Sequence, residues 1–134
     1  SMTVSTLSLS EKNASAIKAL MERYPDYPFH LVLSAYFQST NSAIFTAVEA
    51  LVAERFPERF TLTVGRSHTK VALIDYGQEH GCYVIEGSAN LRSSNNLEQM
   101  TIFRERALFE FHAGWIREFR EAVLAEEPIE RRAK

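Results

Sequence analysis

The sequence predicts a mixed α/β domain in which helices cover a central sheet. Three observations predict it. Segments of helical length carry apolar residues every three or four places, and they alternate with short apolar or β-branched runs. Pro, Gly, Asn and Asp stand at the boundaries between them. The length of 134 residues suits one domain, spanning 1–134, with enough chain to bury a core.

In chain order, residues 8–23 predict a first helix. Ser8 and Glu11 have capping-box spacing, and Ile17, Leu20 and Met21 form its apolar stripe. Tyr24-Pro25-Asp26-Tyr27-Pro28 ends it, so 1–27 reads as an N-terminal helix and linker before a core at 28–126. Residues 29–37 are an apolar run expected to be a central strand. Ser39, Thr40 and Asn41 are N-cap types, and Ile44, Val48, Leu51 and Val52 mark a helix running to Phe56. Residues 60–64, 68–75, 82–85 and 100–103 read as strands, with a hairpin-like loop at 76–81. Leu108, Phe111, Trp115, Ile116, Phe119 and Val123 predict a closing helix over 105–126. The charged tail, 127–134, is expected to fray. The expected order is α-β-α-β-β-β-β-α.

Composition narrows the class. Hydrophobic residues make up 46% and charged residues 24%, which excludes disordered, collagen-like and coiled-coil chains. A net charge of −2 and a pI near 6.1 argue against a broadly basic nucleic-acid coat protein, but leave a local basic site open. Cys82 is alone, so no intramolecular disulfide forms. No stretch reaches the roughly 18 apolar residues of a membrane span, and no leader pattern opens the chain. A cytoplasmic protein without stable membrane insertion is the expectation.

The chemistry concentrates in the middle of the chain. His68 and Lys70 stand at i and i+2, on one face if the segment is a strand. An imidazole beside an ammonium suits an anion between them. Gly87-Ser88-Ala89-Asn90 follows the next apolar strand, with Ser88 and Asn90 again at i and i+2. Glu98, two residues after Asn96, adds a carboxylate able to orient an imidazole. Arg66 and Arg92 flank these residues and are candidate contacts for a polyanionic substrate. His112 reads as a packed or surface residue of the closing helix, and Trp115 as core or subunit interface. Arg104, Arg106, Arg117 and Arg120 read as a solvated helix face. His80 and Cys82 are too few ligands for a zinc site, and no metal or cofactor is expected.

His68-x-Lys70-x4-Asp75, then Gly87-Ser88-x-Asn90, then Asn96-x-Glu98, resembles the phospholipase D, or HKD, superfamily. The resemblance covers roughly residues 28–124. It implies a phospholipase D-like mixed sheet flanked by helices, and metal-free phosphodiester chemistry through a phosphohistidine. His68 would be the nucleophile. Lys70, Ser88 and Asn90 would hold the phosphate oxygens. Glu98 would orient His68. Asp75, Gly87 and Asn96 would be structural members of the motif. The family's chemistry uses two motifs, and this chain has one: His30, His80 and His112 begin no second His-x-Lys. A homodimer would bring a second His68 across its axis. One departure is the short stretch between Phe56 and His68, where family members often carry a further helix-strand unit. The superfamily includes nucleases, phospholipases and phospholipid synthases. A nuclease is the favoured expectation, with a phospholipid hydrolase or transferase and a non-catalytic phosphate-binding module as alternatives.

Overall fold

The computed structural model describes residues 1–88 and 98–126. The expected tail at 127–134 lies outside them. In chain order the elements are β1 (Met2–Thr6), α1 (Glu11–Arg23), β2 (Phe29–Ser34), α2 (Ala35–Thr40), α3 (Ser42–Ala50), a π-helical turn (Leu51–Arg55), β3 (Phe60–Gly65), β4 (Val71–Asp75), β5 (Cys82–Gly87), β6 (Met100–Phe103) and α4 (Arg106–Glu126). The mixed α/β class is as expected, and the order corrects the expected one at both its start and its middle.

β1 is the addition. Its residues Thr3, Val4 and Thr6 are β-branched, which suits a pleated strand. It sits inside the sheet, whose order is β3-β2-β1-β4-β5-β6. β1 pairs in parallel with β2, and β2 in parallel with β3. From β1 outward to β4, β5 and β6 every pairing is antiparallel.

Local chemistry sets the boundaries. α1 starts from Ser10 rather than Ser8, because the Ser10 hydroxyl accepts the Asn13 backbone N–H at 3.2 Å. β2 stops at Ser34, where the expected strand ran on to residue 37. The Ser34 hydroxyl accepts the Tyr36 N–H at 3.2 Å and opens α2. α3 passes into its π-helical turn, closed by Phe56 N–H on the Leu51 carbonyl at 2.9 Å. β4 starts at Val71, so His68 and Lys70 precede the strand instead of lying on it.

The sheet separates two apolar layers. On one face Val4, Phe29, Leu31, Leu33 and Phe60 pack with Ile17 and Met21 of α1 and Phe45 and Val48 of α3. On the other, Val32, Val71, Leu73 and Val84 pack with Ile116 of α4, flanked by Leu108 and Phe119. The period-2 alternation of β4 and β5 supplies the second layer. The first layer is open over β6, where Met100 and Ile102 are 61% and 63% exposed.

One end of the sheet gathers several of the candidate residues. The parallel strands β1, β2 and β3 end at Thr6, Ser34 and Gly65. Ser5 lies opposite Val71, Val71 opposite Glu86, and Gly87 opposite Met100. Residues 66–70, 87–88 and 98–100 therefore gather at the carboxyl end of the parallel strands, where open α/β sheets place their ligands.

Candidate functional site

The rim is assembled from three short pieces of backbone. The Gly87 N–H donates to the Lys70 carbonyl at 3.3 Å, and this bond sets Gly87-Ser88 beside the His68-Thr69-Lys70 segment. The Ser88 N–H donates to the Gln99 carbonyl at 3.1 Å, and the Gln99 N–H returns to the Ser88 hydroxyl at 3.1 Å. Gly87 is required by close approach. A Cβ there would lie 2.6 Å from the Gln99 carbonyl oxygen, a distance real Cβ atoms do not tolerate.

His68 is exposed and Lys70 half-buried. The Lys70 ammonium donates to the His68 carbonyl oxygen at 3.2 Å. Among the described residues the His68 ring forms no hydrogen bond. A cleft at Lys70 is lined also by Val4, Ser5, Thr6, Val71, Ala72, Ile85, Gly87 and Met100. Among the described residues Lys70 is its one cationic side chain, on walls that are otherwise apolar or hydroxylic.

The structure therefore brings together His68, Lys70, Gly87, Ser88 and Glu98 of the expected site. It pairs them differently from the expectation in one respect. The Ser88 hydroxyl donates to the Glu98 carboxylate in a short hydrogen bond, so Glu98 engages Ser88 where contact with His68 was expected. The carboxylate is reached first by Ser88 because Ser88 and Gln99 share the two bonds just described. The shared face expected for His68 and Lys70 is likewise not a strand face, since 67–70 lies outside any strand. Arg66 is exposed directly after β3, at the same rim. Asn90, Arg92 and Asn96 fall outside the described residues.

Asp75 stands at the opposite end of β4, roughly 13 Å of strand from Val71 at about 3.3 Å per residue. Its carboxylate accepts the Gly77 N–H at 2.9 Å and pairs with Arg106 at 3.4 Å. The Gly77 N–H, then Arg106, holds its pKa below the usual value. Asp75 thus ties the 76–81 turn to α4. Cys82 is buried.

Two groupings carried no clear sequence signal. The Trp115 indole N–H donates to His112 Nδ1 at 2.8 Å, which leaves the His112 Nε2 proton to face Glu86 at 2.5 Å. Glu86 immediately precedes Gly87, so this chain fastens α4 to the strand end that carries the rim. The i, i+3 spacing of His112 and Trp115 on a helix was the available signal. On β2, His30 bonds Thr63 at 2.9 Å under α4. Burial first, and the Arg120 charge second, lower its pKa to about 4.

No protein-family model and no curated protein matches this sequence. Among the described residues no helix is long and apolar enough to cross a membrane.

Proposed function

We propose that this chain is a phosphodiesterase that works through a phosphohistidine at a site shared by two copies, with a nucleic-acid strand as substrate. One observation carries the reading. The ordered pattern His68-x-Lys70, Gly87-Ser88 and Glu98 converges on one rim at the carboxyl end of the parallel strands. A mixed sheet flanked by helices agrees with a phospholipase D-like architecture.

In this mechanism a ring nitrogen of His68 attacks phosphorus and the bond to the leaving oxygen breaks. The His68 of the second copy donates a proton to that oxygen. The same residue then takes a proton from water, whose oxygen attacks the phosphohistidine and releases phosphate monoester. Lys70 offsets charge on the non-bridging oxygens. His68 is suited to the nucleophile's role because its ring is exposed and forms no hydrogen bond among the described residues. The Ser88-Glu98 pair presents a hydroxyl oxygen held in place at the edge of the same rim.

A second reading, a phospholipid hydrolase or transferase, is favoured by the exposed Met100 and Ile102 beside the rim. The same apolar surface suits burial by a second copy. The test is cleavage in excess EDTA by wild type and His68→Ala, on a chromogenic diester, single- and double-stranded DNA, RNA and phospholipid vesicles. Cleavage of a nucleic acid that survives EDTA and is lost in the variant is the expected result. Cleavage of vesicles alone supports the second reading. A folded dimer inactive on every substrate overturns the proposal and leaves a phosphate-binding module; a fully active His68→Ala overturns the phosphohistidine mechanism.

A further inference from the structure

We propose that Thr69 is a positioning residue, whose hydroxyl anchors the His68-Thr69-Lys70 segment to the interior of the sheet and sets where His68 stands. The inference rests on the phosphodiesterase reading for its kinetic consequence and adds a residue to which that reading gives no role. The motivating feature is a run of three hydroxyls. Ser5 and Ser67 are buried, at 2% and 8% exposure. The Thr69 hydroxyl lies 2.7 Å from the Ser5 hydroxyl and 2.8 Å from that of Ser67. Ser67 also accepts the Thr69 backbone N–H at 3.4 Å, and Ser5 reaches the Thr69 carbonyl at 3.4 Å.

The segment needs such an anchor because it lies between strands. β3 ends at Gly65 and β4 begins at Val71, so residues 66–70 have no ladder of their own. Among the described residues its backbone tie at the far end is Gly87 N–H to the Lys70 carbonyl, at a long 3.3 Å. Thr69 is itself exposed, yet its hydroxyl is turned inward onto two buried partners. Ser5 is fixed in turn, since it sits on central β1 opposite Val71. Each hydroxyl can both donate and accept, so removing the central one leaves the buried Ser5 and Ser67 oxygens with fewer partners. The exposed His68 ring, which has no hydrogen bond among the described residues, depends on this backbone for its placement.

Thr69→Val removes the hydroxyl and keeps the shape. A displacement on the order of 1 Å at a reacting group can cost about 100-fold in rate. On the wild type's best diester substrate, the variant is expected to lose about 10- to 100-fold in kcat, with KM within about twofold. Thr69→Ser, which keeps the hydroxyl, should recover most of the loss. Ser5→Ala should reproduce it, and the double variant should lose little more than either alone, because the two share one interaction. A merely structural role would move the melting temperature without this pattern. Unchanged kcat in Thr69→Val, or a Thr69→Ser as slow as the valine variant, overturns the proposal. The proton-carbon NMR signal of the His68 ring is followed in parallel, and needs no turnover. It should shift in Thr69→Val and return in Thr69→Ser; an unmoved signal overturns the proposal. Wild type inactive on every diester would refute the phosphodiesterase reading, while the NMR result would still decide the role of Thr69.

Discussion

Replacing Gly87 with alanine places a methyl group where the backbone of the opposite strand already runs. The new Cβ would stand 2.6 Å from the Gln99 carbonyl oxygen and 3.4 Å from Met100 Cα. The obstacle is backbone, so no rotamer change relieves it. The ends of β5 and β6 must part by several tenths of an ångström. That movement stretches both 3.1 Å bonds between Ser88 and Gln99. Overpacking of this kind costs about 1–3 kcal/mol. Loss of glycine freedom in the unfolded chain offsets about 0.4–1 kcal/mol. A net destabilisation of about 1–2 kcal/mol follows, or a melting temperature lower by about 3–8 °C for a chain of this size. Gly77→Ala is the control, since its φ of +88° is unfavourable for alanine although nothing lies within 4 Å. It should cost about 1 kcal/mol through conformation alone and leave the rim intact. Scanning calorimetry with phosphodiester turnover on each variant is the assay. Gly87→Ala that melts at or above wild type would refute the close-approach argument, and full activity would refute the link from that contact to the site.

The remaining predictions concern the α4 side of the sheet. Folded His30 stays neutral to about pH 4, whereas the unfolded chain protonates it near pH 6.5. The unfolded state therefore binds more protons in that window, and stability falls as pH drops from 6.5 towards 4. His30→Gln should flatten this fall by about 1–2 kcal/mol, after allowance for screening at a half-buried site, in urea titrations at pH 5 and 7.5. An unaltered slope would refute the burial argument. His112→Leu leaves the Trp115 N–H and Glu86 without their partner and should cost about 1–3 kcal/mol. Trp115 is the single tryptophan, so its emission should move to longer wavelength as water replaces His112; unchanged emission would show that the bond does not form.

The helices α1, α3 and α4 and the strands β3, β5 and β6 were legible because their side chains alternate or recur on one face. Ser34 shows why β2 was overextended. Within an apolar run a serine reads as a tolerated core residue, yet its hydroxyl caps the next helix. β1 was illegible for the opposite reason. Three of its five residues carry hydroxyls, and those of Ser5 and Thr6 are satisfied by partners inside the protein. At the site, residue identity announced His68, Lys70, Gly87, Ser88 and Glu98, but not their pairing. The Ser88-Glu98 bond depends on where β6 returns, and the strand assumed at 68–70 is replaced by bonds to Ser5 and Ser67. Ser5 and Thr69 are 64 residues apart, a contact that sequence spacing does not encode.

The central place of β1 bears on how the chain assembles during synthesis. Met2 is made well before its antiparallel neighbour Ile74, which belongs to a later strand. Until then β1 can have β2 on one side and a bare row of backbone donors and acceptors on the other. A nascent chain halted before residue 71 exposes that edge to other nascent chains, the situation that favours aggregation. The arrival of β4 closes the seam and at the same moment draws Thr69 onto Ser5. Docking of β4 on β1 and anchoring of the His68 segment are thus one event, while the rest of the rim waits for β5 and β6.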